Sequence, residues 1–272
     1  MSQPILEGQR AVVTGGSGIL GRAMALALAE DGARVYLGAR SQASALKALE
    51  ALQASPEVRA RVLPLAFDVL DPASLEQAAA QVEAEGGADI LVNAAGGNRP
   101  AASTAPDRDF FALDLSAVEE VMSLNFTGTL RATQAFGAGM ARRQSGCIVN
   151  ITSMAAVRPL TRVVGYSAAK AAVVNFTQWL AVHLAQAYGP GLRVNAIAPG
   201  FFLTEQNRYL MLKEDGGLTE RAQTILAHTP QNRFGAPEDL LSTLRYLVHP
   251  QSRFVTGVVL PVDGGFSAFG GV

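Results

Sequence analysis

Cysteine, histidine and charged residues are scarce in this chain of 272 residues. The single cysteine, Cys147, excludes an internal disulfide. The three histidines are far apart and lack the spacing of zinc ligands, so we expect no metal site. Charged residues make up 17% and the formal net charge is −1, which gives no reason to expect nucleic acid or a membrane as partner. The sequence has no bilayer-long apolar run and no pattern of a secretory signal, which predicts a cytoplasmic location.

Apolar residues are abundant, at 49%, and they form short runs that alternate with stretches of helical pattern. Strands are predicted at 11–14, 34–37, 62–65, 90–92, 148–151, 194–198 and 258–262, and helices at 19–31, 41–54, 72–84, 118–142 and 168–188. Uninterrupted apolar strands are typical of a sheet that helices cover on both faces. We therefore predict an α/β fold with a doubly wound, Rossmann-like parallel sheet of about seven strands, in one domain spanning 1–272.

Two segments, 97–117 and 201–237, interrupt this alternation. Both follow strand ends, which is the side of a doubly wound sheet where ligands bind. The second has helical pattern near 219–227 and is long enough to close over a pocket. We predict that it forms a helical substrate lid.

The sequence TGGSGILG, residues 14–21, directly follows the first predicted strand. Its glycines satisfy G-x-G-x-x-G, a pattern that lets the backbone turn tightly and hold a pyrophosphate at a helix N-terminus. Alone the motif is also compatible with an ordinary glycine turn, but its place between strand and helix favours a dinucleotide. The predicted cofactor contacts here are Gly15, Gly16, Ser17, Gly18, Ile19 and Gly21.

The end of the second strand bears on the choice between NAD and NADP. Enzymes that use NAD usually carry a carboxylate here, whereas this sequence has Ala39 followed by Arg40. A guanidinium can bind a 2′-phosphate, so NADP is favoured over NAD, unless Arg40 is only a solvated surface charge. Asp68, after the third strand, is a candidate acceptor for the adenine amino group or a simple turn residue.

Tyr166 and Lys170 lie four residues apart in YSAAK and therefore share one helix face. A nearby ammonium favours the phenolate, so Tyr166 can exchange a proton with an alcohol oxygen, and Lys170 can bind the cofactor ribose. Ser153 follows a strand and can hold the substrate oxygen in the same pocket. Asn125, a poor helix former within a predicted helix, indicates a local break whose carbonyl can hold a water molecule. Taken singly, each of these residues also has an ordinary structural explanation.

Together these residues resemble the short-chain dehydrogenase/reductase family over nearly the whole sequence. The resemblance implies a catalytic tetrad of Asn125, Ser153, Tyr166 and Lys170. It also implies cofactor contacts from Asp68-Val69, from NAAG (Asn93, Ala94, Ala95 and Gly96) and from Pro199, Gly200 and Thr204. The family's loop is T-G-x-x-x-G-x-G, whereas here Ile19 takes the sixth place and Gly18 comes one residue early, which leaves the loop path open.

Several loop stretches, including AAGGNRP and RVNAIAPGFFLTEQNR, resemble one group within this family, the D-mannonate oxidoreductases (fructuronate reductases), which are similar to gluconate 5-dehydrogenases. The resemblance implies reversible reduction of D-fructuronate to D-mannonate, and a homotetramer. Alternatives are gluconate 5-dehydrogenase, 3-oxoacyl thioester reductase and a non-catalytic dinucleotide sensor. A sugar acid needs cations and amides, and the predicted substrate contacts are Asn98, Arg99, Ser153, Arg158, Gln206, Asn207 and Arg208, with Arg233 nearby.

Overall fold

The computed structural model describes residues 4–204 and 208–271, and its centre is one sheet of seven strands. The strands are β1 Arg10–Thr14, β2 Arg34–Ala39, β3 Val62–Ala66, β4 Ile90–Asn93, β5 Gly146–Ile151, β6 Leu192–Pro199 and β7 Val259–Val262. Their order is β3-β2-β1-β4-β5-β6-β7, and every neighbouring pair is parallel. The predicted doubly wound α/β sheet is confirmed.

Helices cover both faces of the sheet. They are α1 Ile19–Glu30, α2 Gln42–Glu50, α3 Pro56–Ala60, α4 Pro72–Ala84, α5 Leu115–Met122, α6 Gly128–Arg143, α7 Val164–Ala187, α8 Arg208–Met211, α9 Glu220–Ala227 and α10 Leu241–Val248. Adjacent residues of one strand enter opposite cores, as side-chain alternation requires: Ala11 and Val13 pack with α1 and α10, whereas Val12 packs against the α4 and α6 side. No helix among the described residues is both long and apolar enough to cross a bilayer.

Several helix predictions differ from the structure. The helix predicted at 168–188 begins earlier, at Val164, so Tyr166 lies inside it. The helix predicted at 41–54 ends at Glu50, because Ser55 caps a separate short helix that begins at Pro56. The helix predicted at 118–142 begins earlier, at Leu115, and is interrupted by a π-helical turn at Ser123–Thr127. Helix α10 was not predicted, although Leu244, Leu247 and Val248 are buried at helical spacing.

Candidate active site

The glycine loop between β1 and α1 packs tightly against the backbone that leaves β4. Gly15 has φ of +65°, a left-handed conformation that glycine adopts without strain. A Cβ atom on Gly15 would lie 2.8 Å from backbone atoms of Ala94 and Ala95. The Thr14 hydroxyl accepts hydrogen bonds from the N–H groups of the same two alanines, each at 3.0 Å. This contact joins the two predicted cofactor-binding segments into one surface.

Helix α1 begins at this loop with its N-terminus available to an anion. Gly18 is the N-cap in extended conformation, and no side chain caps the first turn, which also carries no acidic residue. A side chain at Gly21 would collide with the carbonyl of Gly15, so the loop stays close to the helix. Uncapped N–H groups and the positive end of the helix dipole fit a pyrophosphate. The displaced glycine spacing therefore leaves a usable cradle, in which Ser17 is exposed and Ile19 starts the helix.

Asn93, the last residue of β4, is buried and ties the strand ends together. Its Nδ2 donates to Thr133 Oγ1 at 3.0 Å and to Asn150 Oδ1 at 2.9 Å. Asn150 Nδ2 in turn donates to Thr177 Oγ1 of α7 at 2.9 Å. A buried polar network of this kind fixes the relative positions of β4, β5 and α7.

Ser153, Tyr166 and Lys170 meet where β5 ends and α7 begins. Ser153 caps a single 3-10 turn, Met154–Ala156, with its Oγ accepting from Ala155 N at 3.1 Å. Tyr166 and Lys170 lie in the first two turns of α7, with the Lys170 ammonium 5.6 Å from the centroid of the tyrosine ring. Lys170 Nζ also donates to the carbonyl of Ile151 at 2.9 Å. The structure thus places these three predicted residues around one point.

The surroundings shift the pKa of both titratable groups. Burial raises the pKa of Tyr166, and its hydrogen bond with Ser153 acts in the opposite direction. Burial lowers the pKa of Lys170 to about 8, because the ammonium loses its hydration. Shifted titratable groups at the ligand end of a sheet are typical of a proton-transfer site.

Asn125 lies in the π-helical turn Ser123–Thr127, so the predicted break in the helix is present. Its side chain is fully buried and brackets the backbone of Gly97: Nδ2 donates to Gly97 O at 2.7 Å, and Oδ1 accepts from Gly97 N at 3.1 Å. The main-chain carbonyl of Asn125 accepts from Thr129 Oγ1 at 2.8 Å. Gly96 is confined between Asn125 and Lys170, since a Cβ there would lie 2.6 Å from Asn125 Oδ1 and 3.2 Å from Lys170 Nζ.

The predicted adenine-side residues lie at the ends of β2 and β3. Arg40 is exposed and forms no ion pair with any residue in the described part of the protein. Asp68 accepts from Leu70 N at 2.9 Å, which is the turn role considered for it, and it remains partly exposed. Val69 is buried and packs against Gly128 at the start of α6.

The Pro-Gly pair, Pro199 and Gly200, lies at the end of β6. Gly200 N donates to Val262 O at 2.9 Å, and a Cβ on Gly200 would lie 2.7 Å from Asp263, so glycine permits the close approach of β7. Thr204 is half-buried and ends the first described range.

The predicted substrate contacts come from several separate segments of the chain. Arg99 pairs with Glu120 at 2.5 Å, and Asn98 donates to Ser103 Oγ at 2.9 Å. Arg158 donates to the carbonyl of Ser267, at 2.8 Å, and so contacts the C-terminal segment. Arg208 is exposed at the start of α8, whereas Gln206 and Asn207 lie outside the described residues. Arg233 forms a bidentate pair with Asp239.

Two further polar contacts support the site and were not predicted. The hydroxyl of Thr14 joins the loop after β1 to the backbone after β4. The hydroxyl of Thr152 donates to the Lys170 carbonyl at 2.9 Å and joins the end of β5 to α7. Each threonine ends or follows a strand, which is the only signal the sequence offers for such a role.

Comparison with known proteins identifies the class. Residues 9–215 match the family model described as short chain dehydrogenase. The protein belongs to this family and is an NAD(P)-dependent oxidoreductase that acts on CH–OH groups.

Individual relatives match over nearly their whole length. UxuB of Bacillus subtilis (strain 168), an uncharacterized oxidoreductase, is 46% identical, with 98% of each chain covered. The crystal structure of a protein from Haemophilus influenza, provisionally assigned as a D-mannonate oxidoreductase and containing bound NAD, is 41% identical with a TM-score of 0.89 and 98% of each chain covered. A gluconate 5-dehydrogenase from Burkholderia cenocepacia J2315, in complex with NADP and tartrate, is 30% identical with a TM-score of 0.85 and 98% of each chain covered.

Proposed function

We propose that this enzyme interconverts D-fructuronate and D-mannonate, with Asn125, Ser153, Tyr166 and Lys170 as its catalytic residues. The observation that carries the proposal is the meeting of Ser153, Tyr166 and Lys170 at the ligand end of the sheet. The glycine loop approaches the same end through Ala94 and Ala95. The nicotinamide of a bound NAD(P) supplies or accepts the hydride.

Each catalytic residue has a role that its contacts allow. Ser153 holds the substrate oxygen and donates a hydrogen bond to it, while Tyr166 gives that oxygen a proton during reduction and removes it during oxidation. Lys170 keeps its ammonium near the ring of Tyr166 and favours the phenolate when the proton has left. Asn125 positions Gly97 and shapes the backbone beside Lys170.

Two of the relatives described above support a sugar acid as the substrate. The Haemophilus protein with bound NAD is provisionally assigned to D-mannonate, and the Burkholderia enzyme is a gluconate 5-dehydrogenase. Gluconate 5-dehydrogenase activity is therefore the second candidate. Reduction of a 3-oxoacyl thioester is a third, since a reductase of that kind from Vibrio cholerae is 32% identical. A non-catalytic dinucleotide sensor is the alternative outside the enzymes.

For the cofactor we propose NADP in preference to NAD. Arg40 is exposed at the end of β2 with no carboxylate paired to it in the described residues, and Ala39 offers no acidic group to the ribose. The phosphate-side contacts come from Gly15, Gly16, Ser17, Gly18, Ile19 and Gly21, the adenine side from Arg40, Asp68 and Val69, and the ribose and nicotinamide side from Asn93, Ala94, Ala95, Gly96, Tyr166, Lys170, Pro199, Gly200 and Thr204.

We further propose that 201–237 is a lid within a single-domain enzyme. Its helices α8 and α9 have a small apolar core of their own, formed by Met211, Ala222 and Ile225 with Phe201 and Phe234 packed beside it. A segment with an independent core can move as a unit while the sheet stays fixed. We propose a homotetramer in the cytoplasm as the working form of the enzyme.

The test is a spectrophotometric assay of purified enzyme with D-fructuronate, in which NADPH and NADH are followed separately. 5-Ketogluconate and an acetoacetyl thioester are run alongside, and Tyr166→Phe, which loses only the hydroxyl, serves as the inactive control. We expect turnover of D-fructuronate well above both comparators, and faster oxidation of NADPH than of NADH. Activity confined to a comparator contradicts the substrate, and faster NADH oxidation contradicts the role of Arg40. Binding of cofactor with no turnover of any compound indicates the sensor.

A further inference from the structure

Arg221 is a partly buried cation on the lid that lacks an anionic partner. It is the second residue of α9, after the N-cap Thr219. Its Nε is buried and has no hydrogen-bond partner. No carboxylate in residues 4–204 or 208–271 forms an ion pair with it. A buried donor without a partner costs free energy, and such a group is often satisfied when a ligand binds.

Arg162 lies in the loop that leads from Ser153 to Tyr166. Its φ is +75°, a left-handed conformation that is strained for any residue with a side chain. The conformation is held by the hydrogen bond from Thr104 N to the Arg162 carbonyl, at 3.0 Å. The side chain is exposed, and it too has no ion pair with a described carboxylate. Strain of this kind persists at functional sites because the surrounding structure holds it in place.

The two guanidinium groups are close enough to affect each other. Burial and the positive charge of Arg162 both lower the pKa of Arg221. Three arginines considered as substrate contacts are engaged: Arg99 with Glu120, Arg233 with Asp239, and Arg158 with the Ser267 carbonyl. Arg208 lies exposed at the start of α8, without an ion pair to any described carboxylate. Arg162 and Arg221 are thus two neighbouring cations from the catalytic loop and from the lid.

We propose that Arg162 and Arg221 together bind the carboxylate of the substrate. The anion offsets the repulsion between them, satisfies the buried Nε of Arg221, and links α9 to the loop that carries Ser153 and Tyr166. Substrate binding and closing of the lid are then one event, and a neutral sugar of the same shape is rejected. The inference rests on the proposed function, because it names the residues that select an acid over a neutral ketose.

The test compares D-fructuronate with the neutral ketose D-fructose in wild-type enzyme and in three variants. Arg221→Met keeps the apolar stem, Arg162→Gly relieves the left-handed strain, and Lys213→Met removes an exposed lid cation as the matched control. We expect kcat/KM for D-fructuronate to fall about 10- to 100-fold in each arginine variant, mainly through KM. KM for the coenzyme, kcat/KM for D-fructose and every parameter of Lys213→Met stay within about twofold.

Arg162→Gly also controls for a loss of folding, because it should unfold at the same temperature as wild type or a higher one. A stable Arg162→Gly protein with an unchanged KM for D-fructuronate overturns the proposal, and so does an unchanged KM in Arg221→Met.

The anion site is also tested without turnover, by calorimetric titration of the enzyme–coenzyme complex with D-mannonate, D-gluconate and inorganic phosphate. If D-fructuronate proves not to be a substrate, the proposed function fails, yet binding of D-gluconate that weakens about tenfold or more in both arginine variants still supports the anion site. Absence of carboxylate binding in wild type overturns it. Phosphate binding that is tighter than carboxylate binding, and lost in both variants, overturns the assignment to a carboxylate.

Discussion

At the scale of single residues, Lys170 shows how burial changes the pKa of a side chain whose position the sequence had already predicted. The spacing of four residues from Tyr166 predicted a shared helix face, and the structure places both in the first two turns of α7. Spacing could not predict the hydrogen bond to Ile151 O, since that carbonyl belongs to a strand 19 residues earlier in the sequence. With only 5% of the residue exposed, burial lowers the pKa of Lys170 from 10.5 to about 8.

This shift predicts how stability depends on pH. Below about pH 8 the lysine is charged in both states, so the folded protein bears the full cost of burying an ammonium group. Between about pH 8 and 10.5 the folded form is neutral while the unfolded form still holds its proton, so the cost is relieved as pH rises. The neutral variant Lys170→Met lacks this dependence. We expect its stability advantage over wild type to shrink by about 2–3 kcal/mol between pH 7 and pH 10.

Urea unfolding at a series of pH values measures this difference directly. Lys47→Met, at an exposed lysine of α2, is the control and should differ from wild type by the same amount at every pH. Burial raises the pKa of Tyr166, so its hydroxyl stays protonated in the folded state below pH 10, and the other tyrosines titrate alike in all three proteins. A constant difference between Lys170→Met and wild type would mean that the ammonium is not desolvated.

At the scale of elements, the turn at Ser123–Thr127 explains why a polar residue occupies a buried helix position. Asparagine within a helical pattern predicted a break there. Its consequence depends on Gly97, whose N–H and C=O both face the Asn125 amide across 28 residues of sequence. A local sequence pattern cannot indicate this pairing, because Asn125 and Gly97 come into contact only when α5 packs beside the segment after β4.

We predict that Asn125→Asp destabilises the protein and that acid partly restores it. The carboxylate replaces a donor that serves Gly97 O and Val121 O, so it faces two acceptors without water. The free energy of unfolding should fall by about 2–4 kcal/mol at pH 8. Because burial raises the pKa of such a carboxyl, the protonated acid can donate again and the loss should be smaller at pH 5.5.

Chemical denaturation at the two pH values provides the measurement, and Asn125→Ala provides the control. Alanine removes the amide without adding a charge, so its loss of stability should be nearly independent of pH. If the aspartate variant lost the same stability at both pH values, loss of the hydrogen bonds to Gly97 would not be the cause of the destabilisation.

Helix ends show where the sequence was sufficient and where it was not. The predicted starts of α2 and α4 agree with the structure to within one residue, and Ser41 and Asp71 cap these helices with a side-chain oxygen. The end of α2 was placed too late, because the apolar pattern continues beyond Glu50 although Ser55-Pro56 begins a new helix. For α10 the buried leucines carry a helical period, so the signal was present in the sequence.

At the scale of the whole molecule, the doubly wound parallel sheet could be predicted because parallel strands with helical crossovers allow few arrangements. The surface that the fold leaves uncovered could not be predicted, since the sequence of α7 mixes apolar and polar residues without a clear amphipathic period. The structure buries one face of α7 and exposes another, which contains Val164, Ala168, Ala171, Asn175, Gln178, Trp179, Val182 and Gln186. In a helix of 24 residues the buried Lys170 is the sole lysine, arginine, aspartate or glutamate. Exposed helix faces normally carry charges, so this face supports the proposed assembly of several subunits.

We therefore predict that Trp179→Glu weakens the assembly. The indole is 57% exposed and stacks on His183 with ring centroids 4.8 Å apart, so it offers a large, rigid apolar surface to a second subunit. Aromatic residues of this kind dominate the free energy of protein interfaces, and a buried unpaired carboxylate is strongly unfavourable. Light scattering after gel filtration should give the mass of a tetramer for wild type and a smaller mass for Trp179→Glu. Leu46→Glu introduces the same charge at an exposed apolar residue of α2 and should leave the mass unchanged. An unaltered mass in Trp179→Glu would place the interface elsewhere, and a monomeric wild type would contradict the tetramer itself.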